Sequence, residues 1–121
     1  HDGVFINGVG GDCPGKTELQ KEILENSKVV VEYIPQTKIE GEIQQTGEGV
    51  VYCELYELVT GEKQGRTNDK EITVFDSVGF ALEDYSVLKL TYDLAVEYNI
   101  GREIELIPNL ENPKDLYLAI N

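Results

Sequence analysis

The chain reads as an α/β protein, a parallel sheet with flanking helices. Three observations predict it. Short β-branched runs at 4–9, 29–34 and 72–76 are apolar without polar alternation, the pattern of strands buried on both faces. Stretches with apolar residues at helical spacing lie between and after them. Turns containing glycine or proline separate the two kinds of segment. Strands that alternate with helices are joined by crossovers, so the sheet they build is parallel.

In chain order, Val4-Phe5-Ile6-Asn7-Gly8-Val9 is a buried strand ended by glycines. Gly8, Gly10, Gly11 and Gly15 with Pro14 make a glycine-rich turn. Thr17 starts a helix, with Gln20 three residues on completing a capping-box pattern and Leu19, Ile23 and Leu24 as its apolar face. Asn26-Ser27 ends it. The second strand, 29–34, stops at Pro35. Residues 36–49 are polar with three glycines, a loop with room for one helical turn. A short helix over 54–59 ends before Gly61, and 63–70 is a charged loop. The third strand, 72–76, ends in Ser77-Val78-Gly79. The longest helix covers about 81–99, with Leu82, Tyr85, Leu88, Leu90, Tyr92 and Ala95 as packing face and Gly101 as its C′ residue. A strand or extended arm follows at 104–107, then a polar tail containing Leu116-Tyr117-Leu118. Ligands of parallel sheets bind at the carboxyl ends of strands, which singles out 10–16 and 76–79.

The chain has 121 residues, one domain or part of one. Its net charge of −13 argues against sequence-independent nucleic-acid binding and against an anionic membrane surface. No apolar run is long enough to span a bilayer. Cys13 and Cys53 make no disulfide framework and, with no secretory signal, are expected as reduced thiols in a cytoplasmic protein. His1 is the only histidine and neither cysteine has a partner at ligand spacing, so no metal site is expected. The abrupt start at His1-Asp2, without Met, gives the expectation that the chain begins inside something longer.

Gly10-Gly11-Asp12-Cys13-Pro14-Gly15-Lys16-Thr17 matches the phosphate-loop pattern G-x-x-x-x-G-K-[ST], with a strand before it. Asp76 could pass for the strand-terminal acid that helps hold magnesium. Two features speak against a nucleotide hydrolase. Pro14 removes a backbone N–H from the cradle, and Asp12 places an anion inside it. The dinucleotide fingerprint fails too: Gly8 and Gly10 fit its first positions, and the third falls on Cys13.

Three separated segments together resemble the ornithine cyclodeaminase/mu-crystallin family, most closely its bacterial cyclodeaminase branch. They are Ile6-Asn7-Gly8-Val9-Gly10-Gly11-Asp12-Cys13-Pro14-Gly15-Lys16-Thr17-Glu18-Leu19; Glu32-Tyr33-Ile34-Pro35-Gln36-Thr37 with Ile39-Glu40-Gly41-Glu42-Ile43-Gln44-Gln45; and residues 72–84 around Asp76-Ser77-Val78-Gly79. The resemblance implies a homodimeric enzyme with a Rossmann-like nicotinamide-binding domain and a separate substrate and dimerisation domain. It implies conversion of L-ornithine to L-proline and ammonia, with tightly bound NAD taking a hydride from the α-carbon and returning it. By motif, Asp12 matches the family's catalytic acid/base, which also holds the substrate amine. Lys16 and Ser77 match cofactor contacts near the nicotinamide. Val78 and Gly79 match the backbone that lines the substrate's amino end.

The family's glycine-rich pyrophosphate loop, its ribose-binding acid and the cations on the substrate carboxylate have no counterpart here; Arg66 and Arg102 are the only arginines. The expectation is therefore the C-terminal part of an enzyme, inactive alone. Residues 1–107 would be the second half of the NAD-binding domain, and 108–121 a tail that packs on the substrate domain. Self-association is expected from the strand edge and face this leaves open.

Plainer readings stand beside these. Asp12 could cap a helix, Lys16 could be a solvated side chain, and Ser77 could bond its own turn. Cys13 has no His to activate it as a nucleophile. Tyrosines 52, 56, 85, 92 and 98 read as core or rim residues, and the glutamates from 40 to 62 as a solvated face. Among functions, a related NAD(P)-dependent amino-acid dehydrogenase, ketimine reductase or amino-acid-condensing synthase is the near alternative. A non-catalytic binding or assembly domain is the alternative of another class.

Overall fold

The computed structural model describes residues 1–104. It divides into two compact units, His1–Asp84 and Tyr85–Asn121.

The first unit is a four-stranded sheet in the order β1-β4-β2-β3. The strands are β1 Phe5–Gly8, β2 Lys28–Val31, β3 Val51–Glu54 and β4 Thr73–Asp76. Every pairing is parallel, with Gly8 opposite Asp76 and Val31 opposite Asp76 on its other side. This is the α/β parallel architecture expected from the unalternated apolar runs, but β1, expected as a buried strand over 4–9, is an edge strand of four residues with Val4, Phe5 and Val9 exposed. One face, through Val29, Val31 and Val74, packs on Leu24 and Ile43, with Ile6, Leu19, Ile23, Ile34, Val50 and Val51 around them. Each such side chain contributes about 1.5–3 kcal/mol on burial, so this cluster anchors the unit. On the opposite face, Phe5, Val30, Leu55, Leu58 and Phe75 line an apolar hollow of about 410 Å³.

Several boundaries differ from expectation. The helix expected from Thr17 starts at Lys21, as α1 Lys21–Glu25, and Gln20 makes no side-chain cap bond. Glu42 causes the delay by accepting the N–H groups of Glu18 (2.8 Å) and Leu19 (2.9 Å), which holds that stretch outside the helix. The polar loop expected at 36–49 contains a helix, α2 Ile34–Glu40, followed by 3₁₀ turns at Glu42–Gln45 and Glu48–Val50. β2 ends at Val31, short of the expected 29–34, and Pro35 sits in the first turn of α2, where its missing N–H costs nothing. β3 was not expected at all. It runs directly into α3 Leu55–Val59, where Glu54 and Glu57 form a reciprocal capping box. The Glu54 carboxylate also takes the N–H of Ile34 at 2.7 Å. The glutamates at 40–62 are thus not simply a solvated face, since Glu42 is fully buried.

The long helix is α4 Ala81–Glu97, which begins in the first unit and continues into the second. Its expected packing face is not buried: Leu82, Tyr85, Leu88, Leu90 and Tyr92 are exposed and Ala95 is half-buried. Tyr52, Tyr56 and Tyr98 are exposed as well, so none of these tyrosines is a core residue. The helix ends on Asn99, not Gly101. Asn99 has φ +54, its N–H reaches the Val96 carbonyl at 3.2 Å, and the Ile100 N–H reaches that of Ala95 at 2.8 Å. This is a Schellman ending with Asn at C′. Past Ile104, the expected arm at 104–107 and the tail at 108–121 lie outside the described residues. No helix among the described residues is long and apolar enough to cross a membrane.

Candidate active site

The carboxyl edge of the sheet carries both segments singled out from the sequence. The chain leaves β1 into 9–20 and leaves β4 into 77–80, and the two strands are neighbours. The Ser77 N–H donates to the Gly8 carbonyl at 2.9 Å, extending the ladder past the end of β4.

Asp12 and Lys16 form one group. The Lys16 Nζ lies 2.8 Å from Asp12 Oδ1, and both side chains are exposed. The bond to Lys16 and its charge hold the Asp12 carboxyl below the usual carboxylate range, and Asp12 in turn raises Lys16. The loop between them is clamped from below by Gln44. Its Oε1 accepts the Gly15 N–H at 2.7 Å, while its Nε2 donates to the carbonyls of Lys16 (3.2 Å), Cys13 (3.4 Å) and Gly41 (2.8 Å). Gln45 Nε2 donates to the Leu19 carbonyl at 2.8 Å. The turn Glu42–Gln45 is fixed in its own right by Asp76, whose Oδ2 accepts the Ile43 N–H at 3.0 Å. Asp76 is fully buried, and its Oδ1 has no hydrogen-bond partner among the described residues. Burial pushes its carboxyl up, against the lowering effect of the Glu42 and Ile43 N–H groups.

Ser77, Val78 and Gly79 form the second group, gathered on Glu32. Glu32 Oε1 accepts the Ser77 hydroxyl at 2.6 Å, and Oε2 accepts the N–H groups of Val78 (3.1 Å) and Gly79 (2.6 Å). Gly79 has φ +68, and a methyl added there would meet nothing within 4 Å, so the turn faces open space. Tyr33 stacks on Phe80 with centroids 5.6 Å apart and tightens the same corner. Glu83 is pushed up by burial and by the Glu32 charge.

The structure therefore joins Asp12 to Lys16 and gathers Ser77, Val78 and Gly79, with adjacent parallel strands as the link between the groups. Glu32, Glu42 and Gln44 were not recognised from sequence as holding these loops. Glu32 carried one signal, an acid closing an apolar strand at the edge where ligands bind.

A family model describing the ornithine cyclodeaminase/mu-crystallin family matches residues 1–99. The chain belongs to that family. It is 50% identical over 115 residues to the ornithine cyclodeaminase of Agrobacterium tumefaciens (strain Ach5), covering 95% of this chain and 32% of that protein. Among solved structures, an archaeal alanine dehydrogenase dimer with bound NAD superposes with a TM-score of 0.77 at 40% identity, covering 88% of this chain and 35% of the other. The Delta(1)-pyrroline-2-carboxylate reductase of Thermococcus litoralis, in complex with NADH and L-proline, gives a TM-score of 0.75 at 36% identity, covering 85% and 34%. The chain thus spans about a third of the length of the relatives it matches. Its sheet and helices resemble the NAD-binding domains of the ornithine cyclodeaminase/mu-crystallin family.

Side chains that could hold a polar cofactor are present at this edge. Lys16 is exposed and has N–H donors beyond the one on Asp12, Ser77 is half-buried, and the space beside Gly79 is open.

Proposed function

We propose that this chain is the C-terminal portion of an NAD-dependent ornithine cyclodeaminase, which converts L-ornithine to L-proline and ammonia. The observation that carries the reading is the Asp12–Lys16 pair at 2.8 Å, in the loop after β1, with Ser77-Val78-Gly79 in the loop after the neighbouring strand β4. The 50% identity to bacterial ornithine cyclodeaminases supports it. Residues 1–107 are assigned to the second half of the NAD-binding domain, and 108–121 to the tail that returns to the substrate domain.

Bound NAD supplies the hydride acceptor and donor. Asp12 does the proton chemistry and holds the cationic amine, Lys16 and Ser77 hold the nicotinamide end, and Val78 and Gly79 line the substrate's amino end. In the pair described, Lys16 makes Asp12 a weak base. A Lys16 that turns to the cofactor releases Asp12 to take a proton. In the complete enzyme, Asp12→Asn should abolish turnover and leave NAD bound; near-normal proline formation would refute the assignment.

The chain alone should form no proline from ornithine. Phe5 of the edge strand β1 is 61% exposed, and the archaeal relative is a dimer. Both support self-association, which light scattering checks; a monodisperse monomer counts against it. A second reading, an NAD(P)-dependent amino-acid dehydrogenase of the same family, draws on the 40% identity to alanine dehydrogenase. Net consumption or production of NADH with substrate separates it from a redox-neutral cyclodeaminase.

A further inference from the structure

We propose that Glu32 is a positioning residue that commits the Ser77 hydroxyl proton. Ser77 then meets its ligand only as a hydrogen-bond acceptor and selects a ligand group that donates, here a carboxamide NH₂.

A serine hydroxyl has one proton and two lone pairs, while an ionised carboxylate can only accept. Glu32 Oε2 already receives two main-chain N–H groups, from Val78 and Gly79. The remaining oxygen, Oε1, lies 2.6 Å from Ser77 Oγ, the separation of a hydroxyl donating to a carboxylate. The proton therefore points at Glu32, and the lone pairs are what Ser77 can offer a ligand. Turning the proton away would leave two acceptors face to face at 2.6 Å, and the surrounding contacts keep the two side chains at that separation. Val31 pairs with Asp76, which sets Glu32 beside Ser77, and the Tyr33–Phe80 stack holds the next residues of both segments together. A hydroxyl without Glu32 could donate to a carbonyl oxygen or accept from an N–H equally well; with Glu32 only the second choice remains.

This inference rests on the reading that Ser77 contacts the nicotinamide end of NAD. The test is calorimetric titration of the complete protein carrying this chain with two ligands. One is NAD; the other is its 3-acetylpyridine analogue, which keeps the carbonyl and lacks the NH₂. Wild type should bind NAD roughly three- to tenfold more tightly, the range of one hydrogen bond. In Ser77→Ala, which removes a single hydroxyl, the two affinities should converge to within about twofold, mainly by weaker NAD binding. Glu32→Gln should converge them as well, because its amide can donate to Ser77 and free the hydroxyl proton. Equal binding of both ligands by wild type, or an undiminished preference in Ser77→Ala, overturns the inference while the NAD reading stands. No binding of NAD by wild type overturns the NAD reading and this inference with it.

Discussion

Gly41→Ala should be among the most damaging small substitutions in this chain. Gly41 is buried between Thr37 and Asp76. A Cβ built there would lie 2.5 Å from Thr37 Cγ2 and 2.7 and 2.8 Å from the two oxygens of Asp76. Neither neighbour can move cheaply. Both are fully buried; Thr37 Oγ1 is bonded to the Tyr33 carbonyl at 3.0 Å, and Asp76 Oδ2 holds the Ile43 N–H at 3.0 Å. Overpacking of this kind costs about 1–3 kcal/mol. Loss of a hydrogen bond to a charged group costs about 1.5–3 kcal/mol. The two overlap, so the expected total is about 3 kcal/mol. Hydrogen exchange at the Ile43 amide reads it directly, with an expected acceleration on the order of a hundredfold. Gly49→Ala is the control. It has no atom within 4 Å of the added methyl, and its φ is not positive. It should be neutral or stabilise by about 0.4–1 kcal/mol through the unfolded chain. The reasoning fails if Gly41→Ala exchanges at Ile43 like wild type, or if Gly49→Ala costs as much.

Gln44→Ala should loosen the 13–16 loop, seen as a drop of the Gly15 amide order parameter toward about 0.6. Gln44→Glu should be at least as bad, since a carboxylate would face the carbonyls of Cys13, Lys16 and Gly41. The Thr67 hydroxyl and N–H, with the Lys28 ammonium, lower Glu71 from 4.5 to about 2. Folding favours its ionised form, so that contribution is complete above pH 4.5 and is lost as pH falls toward about 2. Urea midpoints across that window should fall less steeply in Glu71→Gln. Asp76, raised by burial, acts in the opposite sense: its protonation favours the folded state, and stability is lost as pH rises through its folded pKa. Asn99→Gly should stabilise the end of α4 by about 0.5–1 kcal/mol, because glycine takes φ +54 without a Cβ penalty, and exchange at Ile100 should slow accordingly.

What was legible in the sequence was local. The strands β1, β2 and β4 were visible because each is an apolar run without alternation, and α4 because of its length. β3 was hidden because Tyr52 is exposed and Glu54 serves as a cap, leaving Cys53 as its only buried residue. α2 was hidden by Pro35, read as a stop where it is an opening. The late start of α1 depends on Glu42, more than twenty residues away in sequence, as its bonds to Glu18 and Leu19 show. The same holds at the site. The spacing of Asp12 and Lys16 makes their pairing local, whereas Glu32 meets Ser77 only because β4 inserts between β1 and β2. Strand order is a tertiary fact, and no window of sequence contains it.

The carboxylates at this edge also bear on the phosphate-loop match at residues 10–17. In a phosphate loop, main-chain N–H groups point at an external anion. Here Glu42 accepts the N–H groups of Glu18 and Leu19, Glu32 those of Val78 and Gly79, and Asp76 that of Ile43. Gly15 gives its N–H to Gln44, and Lys16 gives its own to the Cys13 carbonyl. An incoming phosphate would have to displace these acceptors and approach Asp12 as well. With these main-chain donors already satisfied from inside, a ligand at this edge would meet side chains, among them the Asp12 carboxylate and the Lys16 ammonium. The Asp12 carboxylate opposes a polyanion there, and the cation it favours is already supplied within the chain by Lys16.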